Sequence, residues 1–138
     1  MKPRLTFLLA DFYKNTPGVT DAEIAAVQKD IGFELPADYL EVMREFDGGE
    51  GKPGGVGRRL FLYSLYETIE VNERMHDLMH QIPEYYLFGK DSADGGFAFH
   101  KQNKTVHEFG LMSNFKTDPI DLVGNSFEEF LEFLLNYY

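Results

Sequence analysis

Residues 31–49 read Ile-Gly-Phe-Glu-Leu-Pro-Ala-Asp-Tyr-Leu-Glu-Val-Met-Arg-Glu-Phe-Asp-Gly-Gly, and the reading of this stretch decides the fold around it. Leu35-Pro36 marks a helix start, because the fixed φ of proline and its missing N–H cost little in a first turn. Leu40, Met43 and Phe46, flanked by Tyr39 and Val42, recur at helical spacing and give that helix a buried face. Gly48-Gly49 ends it. Upstream, Thr20-Asp21-Ala22-Glu23 has the spacing of a capping box, in which Thr20 accepts from the N3 amide and Glu23 reaches back. Ile24, Val27 and Ile31 form the apolar face that follows, and Gly32 is a natural C-cap. The quoted stretch is therefore the second half of a helical hairpin.

Outward from the hairpin, Leu5, Leu8, Leu9 and Phe12 lie at i, i+3, i+4 and i+7, one stripe of a short helix, broken by Thr16-Pro17-Gly18. On the other side, residues 48–57 hold six glycines in ten positions, which predicts a flexible connection that is costly to order. It matches no phosphate-binding fingerprint, having neither Gly-Lys-Ser/Thr nor Gly-x-Gly-x-x-Gly after a strand. Arg59 to Ser64 reads as a strand, and Ser64 with Glu67 caps a helical stretch from about Leu65 to His80 that Asn72 divides. Tyr85 to Phe88, Gly96 to Phe99 and Thr105 to Phe109 are three short strands joined by polar or glycine-bearing turns, which favours antiparallel pairing. Ser126-Phe127-Glu128-Glu129 repeats the capping-box spacing and leads into Phe130, Leu131, Phe133, Leu134 and Leu135 on a terminal helix. This order lacks the strand–helix alternation of a doubly wound sheet and predicts an α+β fold: a small, mostly antiparallel sheet packed against N-terminal and C-terminal helices.

The chain has 138 residues and a mass of 15.9 kDa, and 43% of its residues are hydrophobic, enough for one core and short for two, so residues 1–138 are expected to form a single domain. It has 13 Phe and 8 Tyr but no Trp, and most of these rings belong in the core. No cysteine is present, which removes disulfides, thiolate nucleophiles and cysteine-ligated metals. No apolar window reaches membrane-spanning length, and the run from Leu5 to Ala10 is too short for a secretory segment. The expectation is a cytoplasmic protein with no membrane contact. Its formal charge of -10 gives the wrong long-range field for binding nucleic acid directly and suits a basic partner.

The catalytic-looking strings are weak. His76-Asp77-Leu78-Met79-His80 places two histidines at i and i+4, but the residue beside them is Asp where metal-assisted hydrolysis uses Glu, and a surface helix explains the pair. Asp91 and Asp94-Gly95-Gly96 lack the twelve-position calcium loop, and a turn in which Asp94 bonds local backbone explains the letters. His100 and His107 have no nucleophile elbow among the serines. We therefore expect no catalytic residue, no metal and no cofactor. Charge placement says more. Residues 20–50 carry nine acids and two bases, residues 118–138 carry five acids and no base, and the remainder is slightly positive. If Asp38, Glu41, Glu45 and Asp47 share an exposed helical side, with Glu50 nearby, their field would speed and orient encounter with a basic protein.

The segment at 31–49 resembles the signature of the SUKH superfamily. Leu87-Phe88-Gly89 leading into Asp94-Gly95-Gly96-Phe97-Ala98-Phe99 is similar to its central strand–turn–strand, and Ser126-Phe127-Glu128-Glu129-Phe130-Leu131 to the start of its terminal helix. Together these pieces span about residues 20–135. Asp47 stands where many relatives have Asn before the paired glycines, and the glycine-rich insertion after it is less standard. The resemblance implies helices packed on a mostly antiparallel sheet. It also implies a role as an immunity protein that binds and neutralises a polymorphic toxin, such as a nuclease or deaminase, without catalysis. The alternative is a regulatory or scaffold protein of the cell-wall-assembly-regulator type. On the first reading the partner is a basic toxin, and the candidate contacts are Asp38, Glu41, Glu45, Asp47 and Glu50, with Asp91 and Asp94 secondary; self-association is left open. Leu35, Pro36, Tyr39 and Leu40 are expected to hold the fold.

Overall fold

The structure, a computed structural model, describes residues 1–137. Three helices come first: α1 (Pro3–Leu9), α2 (Asp21–Ile31) and α3 (Ala37–Glu45), with the two-residue strand β1 (Tyr13–Lys14) between α1 and α2. Strands β2 (Gly49–Gly51) and β3 (Leu60–Leu62) follow, then helices α4 (Leu65–Arg74) and α5 (His76–Met79). The chain continues through β4 (Tyr85–Lys90), β5 (Gly95–His100), β6 (Val106–Gly110) and β7 (Asp121–Gly124) into α6 (Phe127–Leu135). The fold is α+β. Among the described residues seven strands lie in the sheet in their sequence order, and every neighbouring pair is antiparallel.

Local chemistry explains the helix limits. Thr20 and Glu23 form a complete capping box on α2, which ends at Gly32 in the left-handed conformation (φ 79°). Ser64 and Glu67 repeat the box on α4. On α6 only half of it forms: Ser126 accepts from the Glu129 amide, while the Glu129 carboxylate accepts from the Asn125 side chain. Pro36 is the N-cap of α3, one residue before the helix begins. The long helical stretch does divide, but at Met75 and not at Asn72. Asn72 instead clips α4 onto β4, its amide donating to Leu87 O and accepting from Leu87 N (2.9 and 3.0 Å).

The glycine-rich segment departs most from expectation. Gly49–Gly51 is a strand between β1 and β3, and Pro53–Gly55 is a 3₁₀ turn lying against α1 and α6. Close approach explains why glycine serves here: a Cβ on Gly49 would strike the carbonyl of Tyr13, and one on Gly51 would stand 2.7 Å from Phe12 Cα. The turn at 91–96 also differs. Asp91, not Asp94, accepts from the backbone of Ala93 and Gly95 (2.8 and 3.0 Å), and Gly95 and Gly96 belong to β5.

Alternation along the strands builds two cores. Leu60, Leu62, Tyr86, Phe88, Phe97 and Phe99 face α1, α3 and α6, whose Leu5, Leu8, Tyr39, Met43, Phe127, Phe130 and Leu134 are fully buried. Leu87, Ala98 and Phe109 face the other way, under Val71, Leu78, Met79 and Ile82. Each fully buried large apolar side chain contributes about 1.5–3 kcal/mol. Tyr39 sits in the middle of the larger core, its ring edge-on to Phe88, Phe99 and Phe127 at 4.9–5.8 Å. Leu35, Pro36, Tyr39 and Leu40 are all buried, as their expected structural role requires.

Candidate partner-binding surface

The two acidic segments meet in space. Asp38, in the first turn of α3, accepts from the Glu128 amide at the start of α6 (2.9 Å), 90 residues away, and also from the Tyr39 amide. The carboxylate thereby satisfies one of the free amides that every helix N-terminus leaves, and it ties the hairpin to the terminal helix.

The sequence candidates do not form one exposed face. Asp38 is half-buried in its capping role, and Glu41 is half-buried with its carboxylate accepting from the Lys2 amide. Asp47 is half-buried and accepts from the Leu65 amide at the start of α4 (2.8 Å); burial raises its carboxyl above the usual range, opposed by that hydrogen bond. Glu50 pairs with Arg59 at 3.3 Å. Only Glu45 and Asp94 of the seven are exposed, and the Glu45 carboxylate lies 3.9 Å from the N-terminal ammonium.

Asp91 is buried, and around it stands a group that sequence reasoning missed. Arg58 donates to Asp91 Oδ2 (2.6 Å) and, through both terminal nitrogens, to Glu108 (2.5 and 3.1 Å). Its guanidinium also lies over the rings of Phe97 and Tyr137, 5.3 and 4.7 Å from their centroids. Burial pushes the Asp91 carboxyl up, but the guanidinium and the amides of Ala93 and Gly95 outweigh it and hold it below the ordinary carboxylate range. The separations of 33 and 50 residues leave no local sequence signal for this triad. It forms one wall of a cleft of about 500 Å³ that also contains Asp94, Asp121, Leu122 and Phe133.

The four histidines lie as two ring pairs, His76 with His80 and His100 with His107. The His76 and His80 rings stack 5.2 Å apart on an exposed helix turn, and among the described residues no three His, Asp or Glu side chains come together as a metal site. His100 accepts from the amides of Gln102 and Asn103 in the β5–β6 turn, while His107 pairs with the Thr105 hydroxyl at 2.8 Å. Among the described residues no helix is long and apolar enough to cross a membrane.

With helices on an antiparallel sheet and the signature helix at the centre of the core, the family comparison is decisive: residues 18–132 match the model of the SMI1/KNR4 family, SUKH-1. The chain belongs to that family. The match runs from the residue before Val19 to the middle of α6, so in this SUKH-1 chain it takes in β2 to β7 and leaves out α1 and β1. A search of curated proteins gives no match.

Proposed function

We propose that this SUKH-1 protein is an immunity protein that binds a basic toxin in the cytoplasm, a nuclease or deaminase, and neutralises it by covering its active or substrate-entry surface. No covalent bond is made or broken. The observation that carries the reading is the joining of the two acidic segments at Asp38 and Glu128, which gathers charge that is separate in sequence into one region of the molecule. Membership of SUKH-1 supports an immunity or regulatory role, and the acidic field supports a basic partner. The exposed carboxylates Glu45, Asp94, Asp121 and Glu129 are its best contacts, with the other sequence candidates acting through the field they add.

The test is capture of partners from native lysate on the full chain, followed by assay of the captured protein's activity with and without stoichiometric inhibitor. Inhibition at a one-to-one ratio is expected. Neutralising Glu45, Asp94, Asp121 and Glu129 to amides should leave the circular dichroism spectrum unchanged and slow association, most at low salt. A captured partner whose activity is untouched would overturn the reading and favour a regulatory or scaffold role.

A further inference from the structure

The sheet has two edges, and they are built differently. On one side β1 has only two residues, and its Lys14 ammonium bonds Phe12 O and lies over the Phe46 ring. A short strand carrying a lysine is a protected edge. On the other side β7 pairs with β6 alone; its first two residues, Asp121 and Leu122, are exposed while Val123 and Gly124 are buried, and among the described residues no backbone hydrogen bond reaches the strand from beyond the sheet.

The side chains along that open edge alternate in chemistry. Asp121 is opposite Glu108 and so shares its face of the sheet, towards Arg58; Leu122 is opposite His107 on the other face, 57% exposed. The register then slips by one residue, leaving Val123 as a bulge. Two clefts, of about 500 and 350 Å³, share Leu122, Val123 and Phe133, so an apolar strip continues from the strand onto α6. Carboxylates border it on both sides. Asp94 and Asp121 belong to the first cleft and Glu129 to the second, and among the described residues none of the three has an ion-pair partner. The cations nearby are committed, Arg58 to Asp91 and Glu108 and Arg4 to Glu132.

We propose that β7 is the docking edge, and that its occupant is an extended segment of the protein partner that joins the sheet as an eighth strand, with a lysine or arginine facing Asp121 and an apolar residue facing Leu122. The main chain supplies hydrogen bonds and the alternating side chains supply selectivity. The bulge keeps the added pairing short, so the side chains carry much of the discrimination. A second copy of this chain is a poor occupant, because its own edge would set Asp121 and Glu129 against like charges. The inference rests on the basic-partner reading above and adds to it the surface and the mode of contact.

The experiment uses the ¹⁵N-labelled full chain and a synthetic octapeptide of alternating lysine and valine, with a glutamate–valine octapeptide as control. Amide shifts and slowed hydrogen exchange are expected at the exposed half of β7, Asp121 and Leu122, with the lysine peptide only, weakening with salt. Asp121→Lys and Leu122→Lys, both at exposed positions, should each reduce that binding by roughly tenfold or more, while Glu70→Gln at an exposed position on α4 should not. Shifts centred on α3 or β1, equal response to the glutamate peptide, no binding at millimolar peptide, or a dimer in sedimentation that Leu122→Lys dissolves would each overturn the proposal. The captured partner separates this failure from failure of the function itself. One-to-one inhibition that survives Leu122→Lys and is weakened by Glu45→Gln would retain the immunity reading and remove the edge.

Discussion

Tyr39 places a hydroxyl at the centre of an aromatic core where no described protein group reaches it. Burial raises its ionisation far above the ordinary phenol range, so it stays neutral and carries only an unmet polar atom. Tyr39→Phe keeps the ring contacts with Phe88, Phe99 and Phe127 and should raise unfolding free energy by about 1 kcal/mol; urea denaturation measures it, and a loss of that size would show that the hydroxyl has a partner. His107 makes the pH prediction. Burial, and then the neighbouring His100, hold its imidazole below the ordinary value, so the unfolded chain takes up its proton first as pH falls. This contribution to stability is therefore present above about pH 6.5 and is lost as the pH drops through the lowered folded value. His107→Gln should flatten that part of the stability curve measured between neutral and mildly acidic buffer, and an unchanged slope would sink the assignment.

At the scale of elements, Asn72 is the clip that fixes α4 to the sheet, and Asn72→Ala leaves the backbone N–H and C=O of Leu87 without their side-chain partner. A cost of about 2 kcal/mol is expected, read by thermal unfolding, with faster amide exchange at Leu87 as the local signature. The same residue shows what one sequence makes legible. Thr20, Ser64 and Ser126 announce their helices because a cap is a bond between residues three apart. Asn72, by contrast, reads as a helix breaker until the strand it serves, 15 residues away, is in view. The strands β4, β5 and β6 were readable from apolar and aromatic runs, whereas β1 has two residues and β7 only Asp-Leu-Val-Gly, too little for a period to show. The glycine-rich segment misled because composition reports freedom of the unfolded backbone, and here the glycines serve close packing against Tyr13 and Phe12.

Across the whole molecule, Arg58 binds together the segment after the glycines, the β4–β5 turn and β6. Its side chain is 17% exposed and those of Asp91 and Glu108 are 11% and 21% exposed, so Arg58→Met would strand two carboxylates in a poorly hydrated site. The expected loss is about 3 kcal/mol near neutral pH. Because Asp91 is held below its unfolded value, the difference between wild type and variant should shrink as the pH falls through the folded Asp91 pKa, and parallel acid-unfolding curves would argue against the pairing. The candidate surface was legible only as charge bias: the counts in residues 20–50 and 118–138 pointed to an acidic region, but Asp38, Asp47 and Asp91 turned out to be engaged in the fold. Exposure and long-range pairing, which separate a contact from a cap, have no local signature.

The seven strands follow one another across the sheet in the order in which they occur along the chain. Each strand pairs with its predecessor, and the β2–β3, β4–β5, β5–β6 and β6–β7 steps close through short loops at small entropy cost, whereas β1–β2 closes over α2 and α3 and β3–β4 over α4 and α5. The run β4 to β7 is therefore made of local pairings that favour early formation, with the longer closures left to β1–β2, to β3–β4 and to the packing of α1 and α6 over the larger core. In such a sequence of additions β7 is where growth stops because the chain turns into a helix at Phe127, while the ladder itself still has a side to extend.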